Sequence, residues 1–169
     1  RNRGISYLML GCGLRRAEVC ELKVKQVSLK NKSAKIIGKG NKERTIYFPQ
    51  PVLNVLKSWL ELRQLNKDEI DAGFVFGRID NKQCLHLDVP LDPSSVTRII
   101  EKLVAETENL EGRLTPHDLR RTFATRLISK NVDIVEVQKL MGHASVATTG
   151  NYVRKDEENL RKAAEKAEL

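Results

Sequence analysis

The chain has 169 residues, 40% of them hydrophobic and 31% charged, with 30 Lys and Arg against 22 Asp and Glu for a formal charge of +8. That size suits one globular domain around one substantial core, and the cationic surplus favours a polyanionic partner, nucleic acid before an anionic membrane surface. No apolar run approaches the roughly 20 residues of a membrane span, and the first residues carry neither a signal-peptide core nor a cleavage site, so the sequence reads as a soluble, cytoplasmic protein without a membrane partner.

The chain opens at Arg1 and enters an apolar run at Ile5–Leu10 within a few residues, which raises the expectation that an N-terminal portion precedes it. "LRRAEVCELK" reads as a helix whose start is loosened by Gly11 and Gly13. "SAKIIGKGNKERTIYFP" holds two short β-rich runs around Gly38, Gly40 and Asn41, a hairpin signature with Lys39 and Lys42 at its tip. Pro51 suits the first turn of a helix that sends Val52, Val55, Leu56, Trp59, Leu60 and Leu62 towards a core.

Residues 66 to 93 are polar and turn-rich apart from "FVF" at 74 to 76, which predicts a long loop region with one short strand, followed by a helix capped by Ser94 or Ser95 and running through Val104. Thr115 and Pro116 make a cap and first-turn proline for a helix to about Ser129, Asp133 begins another that ends near Gly142, and Ser145 caps a third. Residues 155 to 169 close the chain as a charged helical tail. Cys12, Cys20 and Cys84 are an odd set without CxxC spacing, which argues against a disulfide framework or a zinc ribbon and for free thiols in or near the core. The fold class expected is mostly α with a small antiparallel β-sheet.

Projected at about 100° per residue, Arg15 falls within the arc of Leu14, Glu18, Val19 and Leu22, whereas Arg16 falls outside it. A guanidinium cannot discard its proton, so an inward Arg15 requires a carboxylate or a bound anion, and Glu18 is placed to orient it. The same projection puts Arg120 on the arc of Leu119, Phe123, Ala124, Leu127 and Ile128, with Arg121 at its edge. His117 lies one turn before Arg120 near a helix N-terminus, where free N–H groups and the dipole favour anions. A lone HxxR is ordinarily a structural ion pair or a solvated charge. Two inward arginines in a basic chain point instead to a shared phosphate.

"MGHASVATTGNY" adds His143 and Tyr152, nine positions apart, which one continuous helix would turn to opposite faces. Gly142, Ser145 and Gly150 interrupt the helix and let the two side chains converge; alone, Tyr152 would read as a core aromatic with its hydroxyl at the surface.

Together, "GLRRAEVCEL", "GKGNKER", "TPHDLRRTFAT", "LMGHASVATT" and "TTGNY" closely resemble the motifs of the catalytic domain of tyrosine recombinases, the family of phage integrases, chromosome-dimer resolvases and conjugative-transposon integrases. They run in the family's order from residue 13 to 152. One departure is "CG" where "TG" often precedes the first box, and it touches no chemical role.

The resemblance implies a site-specific recombinase that cleaves and rejoins DNA through a 3′-phosphotyrosine, without ATP or metal. It implies a catalytic set of Arg15, Lys39, His117, Arg120, His143 and Tyr152 with Glu18 in support, and no cofactor. Lys42 and Arg44 are assigned to the DNA backbone. His117 and His143 lack nearby ligands in metal spacing, so no metal site is expected, and His86 reads as a surface residue. The resemblance also implies double-stranded DNA as partner, a homotetramer on synapsed sites with exchange of the C-terminal tail between protomers, and an N-terminal core-binding domain preceding this one. Two other readings stand beside it: relaxation of DNA in the manner of a type IB topoisomerase, and a DNA-binding regulator that keeps the fold without the reaction.

Overall fold

In the computed structural model of the chain, residues 1–38, 42–63, 73–108 and 112–142 are described. They form α1 (Asn2–Cys12), α2 (Arg16–Glu21), a 3₁₀ turn at Val24–Gln26, β1 (Val27–Ser28), β2 (Ser33–Ile37), β3 (Glu43–Tyr47), α3 (Gln50–Arg63), β4 (Gly77–Ile79), β5 (Leu85–Pro90), α4 (Pro93–Ala105), α5 (Pro116–Ser129) and α6 (Ile134–Met141). This is a mostly helical architecture with small antiparallel sheets. None of the described helices is long and apolar enough to cross a membrane.

α1 is the central element, packed against both α3 and α5. Its Ile5, Leu8 and Met9 are fully buried among residues of α3, α4 and the sheet. The helix ends at Gly13, whose φ of 65° is left-handed and whose N–H donates to Met9 O. A side chain there would be strained by the backbone and would also strike Phe123 and Met141, its Cβ standing 2.8 Å from Phe123 Cε1. Close packing of α1 on the second helical pair therefore depends on that glycine.

The three-stranded sheet has the order β1-β2-β3, antiparallel throughout, with Ala34 opposite Ile46 and Ile36 opposite Arg44. Its pleat alternates as a half-buried sheet should: Ala34, Ile36 and Ile46 face the core, while Ile37 and Tyr47 remain exposed. The predicted hairpin is present, with Gly38 N–H donating to Lys42 O at 2.8 Å. Lys39, Gly40 and Asn41 lie outside the described residues.

Expectations change at several points. Leu62 of α3, expected to face the core, is exposed instead. The stretch expected as loop with one strand holds a β4–β5 hairpin, and "FVF" precedes it: Phe74 forms an isolated bridge with Lys23, and Val75 N–H donates to Leu22 O at 2.7 Å. Burial of Phe76 beside Trp59, rather than strand pairing, accounts for that apolar run; their rings stack 6.3 Å apart and Trp59 Nε1 donates to Val75 O. The cap of α4 is Asp92, which accepts from Ser94 N–H at 2.8 Å, not Ser94 or Ser95. Pro93 lacks an N–H and occupies the first helical position, which moves the cap one residue ahead of it. α4 extends to Ala105.

The caps of α5 and α6 are as predicted. Thr115 Oγ1 accepts from Asp118 N–H, and Asp118 in return accepts from Thr115 N–H at 2.9 Å, a reciprocal capping box ahead of Pro116. Asp133 caps α6, and Gly142 ends it at φ 61°. α5 and α6 enclose a small second cluster of Ala124, Val137 and Met141, with Phe123, Leu127, Ile128 and Val132 against it. Of the cysteines, Cys12 and Cys20 are buried and Cys84 is exposed, all as free thiols; burial pushes the Cys12 thiol up to about 12.

Candidate active site: three arginines around one carboxylate

The two apolar clusters meet along a polar seam centred on Glu18. This side chain is 5% exposed and sits on α2 with its carboxylate turned towards three guanidinium groups. Arg44 donates to it as a fork, Nη1 to Oε1 at 2.7 Å and Nη2 to Oε2 at 2.8 Å. Arg15 donates through Nη1 at 2.8 Å and through its backbone N–H at 2.7 Å. Arg120 Nη1 stands 4.0 Å from Oε2. Burial by itself pushes the Glu18 carboxyl up, but the Arg44 fork and charge, with the Arg15 backbone and side-chain donors, outweigh it and bring the group down to about 2. Glu18 is therefore an anion at any working pH.

The same three arginines hold the end of α6 by three consecutive carbonyls. Arg44 Nε donates to Leu140 O at 3.1 Å, Arg120 Nη2 to Met141 O at 2.6 Å, and Arg15 Nη2 to Gly142 O at 2.9 Å. The last carbonyls of a helix lack intrahelical donors and carry the negative end of its dipole, so cations satisfy them on both counts. Arg120 Nη1 also donates to Gly13 O, joining α5 to the end of α1.

The predicted residues are placed as follows. Arg120 points inwards and is 4% exposed, while Arg121 on the same helix is exposed. Arg15 and Glu18 are partners, by a different route from the projection: Arg15 is the residue before the helix, with extended backbone (φ −74°, ψ 154°), and its side chain is 40% exposed. The helix begins at Arg16, so a helical wheel started at Leu14 does not apply to Arg15; what pairs it with Glu18 is the capping relation between the residue before a helix and the third one in it. His117 is exposed in the first turn of α5, next to Asp118 and one turn before Arg120. Lys42 is exposed beside the hairpin turn. Lys39, His143 and Tyr152 lie outside the described residues, as do Ser145 and the tail at 155–169. His86, read as a surface residue, bonds Asp80 Oδ2 through Nε2 at 3.0 Å and is partly exposed.

Arg44 corrects an expectation. Assigned to the DNA backbone, it is turned inward with its side chain 11% exposed and its fork on Glu18. The signal was present in β3: alternation puts Arg44 on the same face as the buried Ile46 and opposite Ile36.

The family model for the phage integrase family matches residues 1–159. The chain belongs to this family. Among curated members of the phage integrase family it is 36% identical over 170 residues to tyrosine recombinase XerA of Pyrococcus furiosus, covering 100% of this chain and 55% of the relative. It is 33% identical over 160 residues to tyrosine recombinase XerC of Alcanivorax borkumensis, covering 95% and 50%. The chain thus spans about half the length of the curated relatives it matches. Among solved structures, a crystal structure of XerA recombinase superposes with a TM-score of 0.78 at 32% identity, covering 98% of this chain and 57% of that one. XerH site-specific recombinase bound to its difH substrate in a pre-cleavage complex superposes with a TM-score of 0.73 at 28% identity, covering 97% and 46%. The integrase-family fold expected from the motifs is therefore the fold of this chain.

Proposed function

We propose that this chain is the catalytic part of a site-specific DNA recombinase that breaks and rejoins strands through a phosphotyrosine. The observation that carries the reading is that Arg15 and Arg120, far apart in sequence, are gathered around one carboxylate in a chain of net charge +8. The recombinase names of relatives that match almost the whole chain agree with it.

A phosphodiester resists attack because the nucleophile approaches an anion and the leaving alkoxide is poor. Arg15 and Arg120 act on the non-bridging oxygens, permanently charged and forked, as negative charge builds in the five-coordinate transition state. Tyr152 attacks phosphorus as its proton passes to His117, and the bond to the 5′ oxygen breaks as Lys39 donates a proton to it. His143 donates a hydrogen bond to a non-bridging oxygen. The products are a 3′-phosphotyrosine and a free 5′-hydroxyl. Attack by a 5′-hydroxyl reverses the step with the same atoms, so the phosphodiester is conserved in the covalent bond and no ATP or metal enters. Glu18 holds Arg15 in place, and Lys42 meets the DNA backbone. Exchange takes place in a homotetramer on two synapsed duplexes, with the tail after Tyr152 docked on a neighbouring protomer.

A nicked suicide duplex, from which the short downstream fragment bearing the free 5′-hydroxyl diffuses away, tests the chemistry. Wild type should accumulate a covalent protein–DNA adduct that disappears in Tyr152→Phe while DNA binding persists. Tight binding with no adduct in wild type would make the chain a regulator. An adduct with relaxation of supercoils but no exchange between two defined sites would make it a topoisomerase.

A further inference from the structure

Arg44 is unlike the other two arginines of the seam. It comes from the β2–β3 hairpin, the element that bears Lys39, and it is the hairpin's polar anchor to the rest of the site. Its fork takes both oxygens of Glu18, its Nε holds Leu140 O, and its side chain packs against Gly142: a Cβ at Gly142 would stand 2.9 Å from Arg44 Cδ and 3.0 Å from Nη1. Gly142, at φ 61°, immediately precedes His143 in sequence. On the hairpin, Gly38 lies against the same ion pair, its missing Cβ 3.8 Å from Glu18 Oε1 and 3.9 Å from Arg44 Nη1. The residue before Lys39 and the residue before His143 thus both pack on the Arg44–Glu18 pair.

A bidentate guanidinium–carboxylate pair fixes orientation as well as distance, which a single ammonium–carboxylate contact does not. An Arg that merely neutralised Glu18 would need neither the fork nor the third bond to Leu140. All three guanidinium nitrogens of Arg44 already donate within the protein, Nη1 and Nη2 to Glu18 and Nε to Leu140 O.

We propose that Arg44 is a positioning residue that holds the hairpin carrying Lys39 against Glu18, so that the lysine meets the departing 5′ oxygen. This rests on the assignment of Lys39 as the proton donor in strand cleavage. Displacement of a reacting group by about 1 Å typically costs on the order of 10²-fold in rate.

The test uses Arg44→Lys, which keeps the charge on Glu18 and loses the fork, and Arg44→Met, in the full-length protein. Single-turnover cleavage at saturating suicide duplex, and DNA affinity as a function of salt, are measured for each. We expect cleavage to fall by about 10²-fold with affinity and salt slope unchanged. A duplex with sulfur at the 5′ bridging position, whose thiolate departs without a proton, should restore the variants at least about tenfold more than it speeds wild type, because a misplaced acid is no longer needed. Loss of affinity with a salt slope reduced by about one phosphate contact would make Arg44 a DNA-backbone residue and overturn the proposal. So would equal loss on the oxygen and sulfur substrates, or unchanged cleavage. Should Arg44→Met fail to fold, Arg44→Lys decides alone. Absence of an adduct in wild type on either substrate would instead remove the assigned reaction, and this inference with it.

Discussion

The core under α1 and the seam under α6 are held together in opposite ways. Around α1, apolar side chains from α3, α4 and the sheet close on one another, and Ile5, Leu8, Val19, Val75 and Phe76 have no measurable exposure. Around α6, the apolar contribution shrinks to Ala124, Val137 and Met141, and cohesion passes to three arginines that share Glu18 and consecutive carbonyls. The first arrangement makes a scaffold indifferent to pH and salt. The second makes a cationic centre that a single carboxylate organises, at the cost of stability that depends on charge.

Removing a member of each region should separate them. Glu18→Ala leaves buried guanidinium groups without their carboxylate and should destabilise by about 3–5 kcal/mol. Phe76→Ala leaves a cavity against Trp59 and should cost about the same, 3–5 kcal/mol. Denaturant melts give both values, and salt distinguishes them: anions such as sulfate should stabilise Glu18→Ala in particular, by replacing the missing carboxylate, and should have no special effect on Phe76→Ala.

The seam should also respond to acid. Glu18 is held at about 2 when folded against an ordinary 4.5, so its folded value is depressed. The stability it contributes is complete above about pH 4.5 and is lost as pH falls towards 2. At about 1.4 kcal/mol per unit this amounts to roughly 3 kcal/mol. Asp80, Asp92 and Asp118 are also held below the usual carboxylate range by their hydrogen bonds, so melts of wild type and Glu18→Gln between pH 2 and 5 measure the Glu18 contribution as a steeper slope in the first than in the second; equal slopes would mean that Glu18 is not held by the arginines.

Smaller effects come from the caps. Thr115→Ala removes one side of the box that starts α5 and should cost about 1 kcal/mol, with a slight loss of the helix that carries His117 and Arg120. Least of all, Lys102→Ala breaks an exposed pair with Glu106 and should change stability by less than about 1 kcal/mol, a control that neither region notices.

Local signals were legible where the chemistry is local. Thr115-Pro116, Asp133 and Gly142 bound their helices because caps and left-handed glycines act within a few residues, and Arg120 is inward because α5 is regular through it. The projection of Arg15 reached the right partner on a wrong premise, since a helical wheel is blind to where a helix starts. The β4–β5 hairpin escaped notice because "FVF" is the conspicuous apolar run there, and it is buried by Trp59 rather than paired as a strand. The inward turn of Arg44 was visible in the alternation with Ile46, but a lysine-rich hairpin draws attention to its outward charges. That three arginines would meet on one carboxylate and on three successive carbonyls of α6 is a long-range fact, set by how α1 packs on α5.

The central claim is that Arg15 neutralises charge on a scissile phosphate, and chemical complementation tests it most directly. Arg15 is 40% exposed at its side chain, so Arg15→Ala should fold. On ordinary suicide duplex its cleavage should fall by roughly 10²–10³-fold. On a duplex with a methylphosphonate at the scissile position, which lacks one anionic oxygen, Arg15→Ala should recover most of that loss relative to wild type. An Arg15→Ala enzyme equally impaired on the charged and the neutral linkage would contradict the account.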